Sequence, residues 1–367
     1  MIAGLFDKMS RVKAVSGRSR WRQFLDMTRL YRGRGRLGPS EYFDYRLFDA
    51  EQSPAVLRHD YAGYKAESEI DKKWNAYTSW IVTGDKLLFY SALHGFRLPH
   101  PELFAVTHPI GRHCGMAPCF SDASSLAGFI REGMTYPFFS KPIFGSFGRG
   151  AYNATGYDAV SDELILAQGG RRPVMEFCNE MLEITRKRNK VLSGNIIQQA
   201  LQPHPEIERV CGPNISGVRV VLLLRDTQPE MLAAVWKITT GDNFVDNFLD
   251  GKIGNMLGNV DIDSGEIVRV QRGSGLEMEE DVVHPDTGQR LTGFRLPDWD
   301  RLKETCLAAA TIAPELRFQH WDVALTDDGP VLMELNVQGS FNLAQLALQK
   351  GIYELLGAGI GADDRSQ

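Results

Sequence analysis

Glu334 and Asn336 stand two residues apart in the apolar run Val331-Leu-Met-Glu-Leu-Asn336, so a strand there would turn both to one face. Upstream, Trp321-Asp-Val-Ala-Leu ends in Thr326-Asp-Asp-Gly329, a strong turn signal, and the two runs read as a hairpin. Asp322 lies on the partner strand near the open end, within reach of that face. Two carboxylates and an amide oxygen converging on one spot form a hard oxygen site, of the kind Mg²⁺ uses when it also holds nucleotide phosphates. The competing account is a hairpin with a polar outer face. The apolar neighbours Trp321, Met333 and Leu335 instead suggest partly buried carboxylates that need compensation.

A phosphate cradle would go with such a site, and Lys141-Pro-Ile-Phe-Gly-Ser-Phe-Gly-Arg-Gly150 is a candidate. Gly145, Gly148 and Gly150 let backbone N–H groups approach an anion, Ser146 adds a hydroxyl, and Lys141 and Arg149 bracket the loop with positive charge. No Gly-Lys-Ser/Thr ends it, so it is not a Walker A loop. The order Gly-x-x-Gly-x-Gly is not the dinucleotide fingerprint either. A loop of this composition also serves as a plain hairpin tip. Arg219 and Lys237 sit inside apolar runs, where a cation must find an anion. That anion is a phosphate or acyl-phosphate, or else the carboxylate of an ordinary salt bridge. Asp246-Asn247 and Asp250-Gly-Lys252 are loop residues able to shape an acceptor pocket. His204 and His284 each precede proline and read as turn or packing residues. There is no Gly-x-Ser-x-Gly and no convincing Cys/His pairing, which fits chemistry that requires no dedicated nucleophilic side chain.

These residues must be positioned by a mixed set of elements. Helical patterns fall near 84–95, 123–132, 173–189 and 299–313. Short β runs dominate after Pro137: Phe138–Pro142, Asn195–Leu201, Gly217–Leu224 and Met231–Ile238. Residues 40–135 look mainly helical, cut by Pro99, Pro101, Pro109 and Pro118. The mixture predicts an α+β architecture and not a doubly wound parallel sheet.

The length of 367 residues allows two or three domains, and 43% hydrophobic and 24% charged residues are ordinary for a globular chain. No apolar run is long enough to span a bilayer, no secretory signal opens the chain, and five scattered cysteines fit reduced thiols, so a cytoplasmic setting is expected. Net charge is −5, yet ten basic residues between Lys8 and Arg36 face only Asp7 and Asp26. Trp21, Phe24, Leu25 and Thr28 keep helical spacing, so a basic amphipathic helix is expected whose apolar stripe packs on the protein body. Docking to an anionic membrane surface is the alternative. No nucleic-acid module is recognisable, so no nucleic-acid partner is expected.

In order along the chain come Lys141, the glycine loop, Ile196-Ile-Gln-Gln-Ala-Leu201, Arg219, Lys237, Asp322 and Glu334-x-Asn336. This order resembles ligases of the ATP-grasp superfamily over roughly residues 84–350. In detail the chain is similar to the sugar-transfer-associated ATP-grasp family. That likeness rests on Gly38-Pro-Ser-Glu-Tyr-Phe-Asp-Tyr-Arg-Leu47, Gln202-Pro-His-Pro-Glu206, Val245-Asp-Asn-Phe248 and His284-Pro-Asp-Thr-Gly288.

The resemblance implies an ATP-grasp fold, with two α+β lobes gripping the nucleotide. A basic leader (1–38) and a helical region (39–135) would precede a small lobe (136–202) and a large lobe (203–360). It implies ATP and Mg²⁺ as cofactors. Lys86 and Lys141 would be nucleotide-binding lysines, and Gln198 and Gln199 the adenine hinge. Many members carry a glutamate there, so the backbone of Ala200 and Leu201 would serve instead. Arg219 and Lys237 would act on transferring phosphate, and Asp322, Glu334 and Asn336 on the metal. The implied reaction is carboxylate–amine ligation through an acyl-phosphate, on small molecules such as a sugar acid or amino acid of surface-glycan or natural-product assembly. A kinase on the same scaffold, or a nucleotide-regulated adaptor docked through the basic leader, are alternatives, and a homodimer is left open.

Overall fold

The computed structural model describes residues 2–49, 57–145, 148–187, 190–192, 194–226, 228–280, 282–337 and 341–356. Ser146, assigned above to the phosphate loop, lies outside the described residues. Two seven-stranded sheets organise the chain, with a two-stranded hairpin Thr185–Lys187/Lys190–Leu192 beside them. The architecture is α+β, as the element pattern predicted.

The first sheet runs in the order Cys119–Phe120, Leu103–Thr107, Asn195–Gln199, Phe138–Pro142, Tyr152–Asp158, Glu163–Leu166, Arg171–Pro173. All neighbours are antiparallel except the short parallel pair at Cys119–Phe120. Leu103–Thr107 falls in the stretch expected to be mainly helical. Its Leu-Phe-Ala-Val-Thr composition favours a strand, and pairing with Asn195–Gln199 buries it. The helix expected over 173–189 stops at Met181. Its buried positions, Val174, Phe177, Cys178 and Met181, end there, and Ile184 is exposed. The other helical patterns hold: Lys86–Gly95, Ala123–Glu132 and Trp299–Ala310.

The second sheet is wholly antiparallel, in the order Glu279–Glu280, Ile267–Arg272, Met256–Val260, Pro229–Ile238, Val218–Leu224, Phe318–Thr326, Gly329–Asn336. The predicted hairpin is its last pair, closed by the Asp327-Asp328 turn, with Gly329 at φ +107°. One face packs Val218, Val220, Trp236, Trp321 and Val323 against the helix Trp299–Ala310. The opposite face buries Val221, Leu223, Val235 and Phe318 under the N-terminal helices and the helix Phe341–Leu348. A continuously apolar strand such as Val218–Leu224 fits this covering on both sides.

Two side-chain amides fasten the N-terminal region to that second face. Asn75 donates from Nδ2 to Phe318 O and accepts at Oδ1 from Phe318 N, prolonging the sheet by one rung. Gln345, fully buried, accepts from Ala62 N and donates to Ala62 O and Tyr45 Oη. Among the described residues no helix is long and apolar enough to cross a membrane. All five cysteines are free; burial pushes the Cys178 and Cys211 thiols up to about 12, which keeps them inert.

Candidate active site

Register builds the centre of the site. Arg219 pairs with Asp322, and Asp322 with Glu334, so three charged side chains from three adjacent strands line up on one face of the second sheet. His320 pairs with Asn336, which places the amide one step further along the same face. The predicted oxygen-bearing trio therefore converges. Its surroundings are more cationic than the hairpin alone suggested. Asp322 is gripped bidentately by Arg219 (Nη2–Oδ2 2.8 Å) and touched by Lys237 Nζ at 3.1 Å. Lys237 also pairs with Asp246 at 2.9 Å, and Asn336 Nδ2 donates to Asp322 at 3.4 Å.

This cluster is ionised despite its burial. Burial alone would raise the Asp322 pKa; attraction to Arg219, then Lys237, outweighs it and holds the carboxyl well below the usual carboxylate range. Burial likewise pulls Lys237 down, but Asp246 and Asp322 hold it above the ordinary lysine value. His320 behind them is driven down to about 3 by burial and then by Arg219. It is neutral, packs on Phe318 and Phe341, and serves as floor and not as a proton carrier.

The first sheet supplies the opposite wall. Lys141 ends its strand under the glycine loop. Burial lowers its pKa, and no carboxylate lies within ion-pair distance of it among the described residues; its Nζ donates to Tyr90 Oη at 3.0 Å. Tyr90 in turn donates to Met333 O, tying the lysine to the hairpin. Tyr90 was not anticipated, although it is four residues from Lys86 and so shares its helix face. Lys86 starts that helix behind the N-cap Asp85, whose carboxylate accepts from Leu87 N and Leu88 N and pairs with Arg112. Its ammonium bridges Gly145 O (2.7 Å) and Glu334 Oε1 (3.1 Å), linking the loop to the hairpin.

Both walls enclose one cleft of about 790 Å³. It is lined by Lys86, Lys141, Gly145, Gly148, Arg149, Gln198, Gln199, Ala200, Leu201, Arg219, Lys237, Asp322, Glu334 and Asn336, the whole predicted set apart from Ser146 and Gly150. Gly150 instead shapes the loop: at φ +73°, a Cβ there would stand 3.2 Å from Pro142 Cγ. Gln198 is buried, with no partner for Oε1 among the described residues, whereas Gln199 is exposed. Phe139, Phe244 and Leu201 supply apolar surface, and Asp246, Asn247 and Asp250 also line the cleft. His204 caps a helix through Glu206 N and His284 is buried against Thr239 O, as turn and packing residues.

A cleft lined by apolar side chains and five cations suits a base joined to a polyphosphate. Two carboxylates and an amide in one register row are the donors a hard divalent cation takes. In this arrangement Asp322 and Glu334 are neutralised by Arg219, Lys237 and Lys86, the groups a polyphosphate would attract. The trio therefore fits Mg²⁺ once phosphate charge enters beside it. Sequence reasoning missed Asp246 as the Lys237 partner, because nothing local links them.

A family model described as sugar-transfer associated ATP-grasp matches residues 65–358. Similar solved structures include an ADP complex of N5-carboxyaminoimidazole ribonucleotide synthetase, at 10% identity and TM-score 0.42, covering 77% of this chain and 53% of that one. An L-amino acid ligase from Bacillus licheniformis (12%, TM-score 0.40) is covered to 47% by 77% of this chain. D-alanyl-alanine synthetase A from Vibrio cholerae (12%, TM-score 0.41) is covered to 63% by 75% of this chain. This chain thus spans about half to six tenths of those proteins' lengths. No curated protein matches it.

Proposed function

Because the chain belongs to the sugar-transfer associated ATP-grasp family, matched over residues 65–358, we propose that it is an ADP-forming ligase joining a small-molecule carboxylate to an amine. The observation that carries this reading is the Glu334–Asp322–Arg219 row with Lys237, facing Lys141 across the cleft. Adenine lies at the Gln198–Leu201 hinge, and Lys86, Lys141 and Arg149 take the phosphate charge. Asp322, Glu334 and Asn336 would hold Mg²⁺, which would supply charge neutralisation for the transferring phosphate.

The protein's own groups then do the following. The glycine loop covers the phosphates and excludes water. Arg219 and Lys237 orient the γ-phosphate for in-line attack by the acceptor carboxylate and stabilise the charge spreading over its oxygens. One carboxylate oxygen bonds to γ-phosphorus as the bond to ADP breaks, giving an acyl-phosphate. The amine attacks the acyl carbon, inorganic phosphate leaves, and the amine gives up a proton. No side chain forms a covalent bond, in keeping with the inert Cys178 and Cys211 thiols and the neutral His320. Asp246, Asn247 and Asp250 stand where an acceptor would sit. A sugar acid or amino acid of glycan assembly suits the family's description, and ATP supply with reduced thiols suits the cytoplasm.

The test is a screen of acids and amines for ADP release. The expected result is release that needs both substrates and is abolished in Glu334→Gln. A phosphorylated acceptor as the stable product would make the protein a kinase, and full turnover by Glu334→Gln would remove the metal assignment.

A further inference from the structure

The basic leader folds as two helices, Ile2–Ser16 and Arg20–Arg32, closed on each other by Gln23, which donates from Nε2 to Met9 O and Arg18 O. The expected packing of the aromatic stripe on the protein body is not what occurs. The buried side of the second helix is Gln23, Met27 and Leu30, while Trp21 and Phe24 are 67% and 53% exposed and stack on each other at 5.8 Å. At about 100° per residue, Trp21, Phe24, Thr28 and Tyr31 share one outward stripe roughly 80° wide. Arg20 borders one edge; Arg32, Arg29 and Arg22 border the other. Phe6 and Val15 of the first helix are also exposed.

The cations of the leader divide in two. Arg11, Arg18, Arg34 and Arg36 pair with Glu277, Asp26, Asp60 and Glu69. Lys8, Lys13, Arg20, Arg22, Arg29 and Arg32 form no ion pair among the described residues, Lys8 lying over the Phe43 ring and Arg20 donating to Ser10 Oγ. Aromatics displayed between unpaired arginines satisfy two requirements together, an apolar boundary and an anionic plane. We propose that this face docks the protein on an anionic lipid surface. Trp21 and Phe24 enter the headgroup–acyl boundary, and Arg22, Arg29 and Arg32 meet lipid phosphates. A soluble polyanion would satisfy the arginines but leave the aromatic stripe in water. The family match begins at residue 65, so this surface lies outside the part of the chain shared with that family.

The inference does not rest on the ligase reading, and its test needs no turnover. Full-length protein is spun with phosphatidylcholine vesicles, with and without phosphatidylglycerol. Binding should require the anionic lipid and fall with salt. Each arginine near the surface contributes roughly fivefold, so Arg22→Gln with Arg29→Gln should weaken partitioning about thirtyfold. Trp21→Ser with Phe24→Ser should weaken it too while leaving the melting temperature unchanged. Equal binding to neutral vesicles overturns the proposal. So does undiminished binding by the Ser pair, tighter binding to an RNA oligonucleotide, or a dimer that the Ser pair abolishes.

Discussion

Asp322→Asn and Glu334→Gln remove equivalent charges from adjacent positions in one row, yet their consequences should differ sharply. Asp322 is 7% exposed at its side chain and balances two buried cations, Arg219 and Lys237. Breaking such a group by deleting one member costs about 3–5 kcal/mol, because the remaining charges stay buried. At about 2–4 °C per kcal/mol, melting should drop by roughly 6–20 °C. Glu334 is 31% exposed and holds one ion pair, with Lys86. Its loss costs about 1 kcal/mol or less. Both variants should lose ADP release, but only Glu334→Gln should lose it with its fold intact.

The pH dependence supplies an internal check. The folded Asp322 carboxyl is held below its unfolded pKa of about 3.9. Its contribution is therefore complete above that pH and is lost as pH falls toward the lower folded value. The gap between Asp322→Asn and the unaltered protein, followed by circular dichroism, should be full at pH 7 and shrink below about pH 4. An Asn variant that melts within about 2 °C of the parent at pH 7 would refute the argument that Asp322 compensates two cations.

Lys141→Met should leave the nucleotide-free protein as stable or slightly more so, since it removes a desolvated charge. It should weaken ADP binding about 10- to 100-fold by calorimetry, and unchanged affinity would remove Lys141 from the phosphate site. At Gly148, φ is +68° and a Cβ would meet Val245 Cγ1 at 2.9 Å. Gly148→Ala should therefore cost about 1–2 kcal/mol of loop closure, read as a raised KM for ATP; Gly128→Ala, with nothing within 4 Å, is the control. Asp44 is pushed up to about 6 by burial, so the folded state favours its protonated form. Its contribution is then full below about pH 4 and is lost as pH rises from there to about 6. Asp44→Asn should be more stable than the parent by about 3 kcal/mol at pH 8, and the difference should vanish only near pH 3 in thermal melts.

Much of the site was legible because its residues lie in local patterns. Period-two spacing put Glu334 and Asn336 on one face, and the Thr326–Gly329 turn fixed the hairpin. The helix ending at Gly95 was read from the apolar run after Lys86, and the strand Asn195–Gln199 from its isoleucines. What stayed hidden depends on pairing between distant segments. Arg219 and Asp322 are 103 residues apart in sequence, and only strand register makes them partners. The same is true of Asp246 with Lys237 and of Tyr90 with Lys141. Leu103–Thr107 was masked by its proline-rich flanks. The leader's aromatic stripe was assigned to the wrong side because periodicity gives the angle between residues on a helix and not which angle faces the core. Met27 and Leu30, an equally good stripe, took the core side instead.

The charged row also ties the proposed catalysis to the correctness of folding. Side chains alternate along a strand, so a one-residue slip of the last hairpin would move Asp322 and Glu334 into the core facing Trp299–Ala310. The same slip would bring Trp321 and Val323 out into the cleft. A misregistered hairpin would therefore lose the oxygen-bearing trio from the cleft. If the proposed reaction holds, ADP release per molecule would report the fraction of chains whose hairpin strands are aligned. Insertions or deletions at Asp327-Asp328 provide a direct way to exploit it, by shifting Glu334 and Asn336 against Asp322.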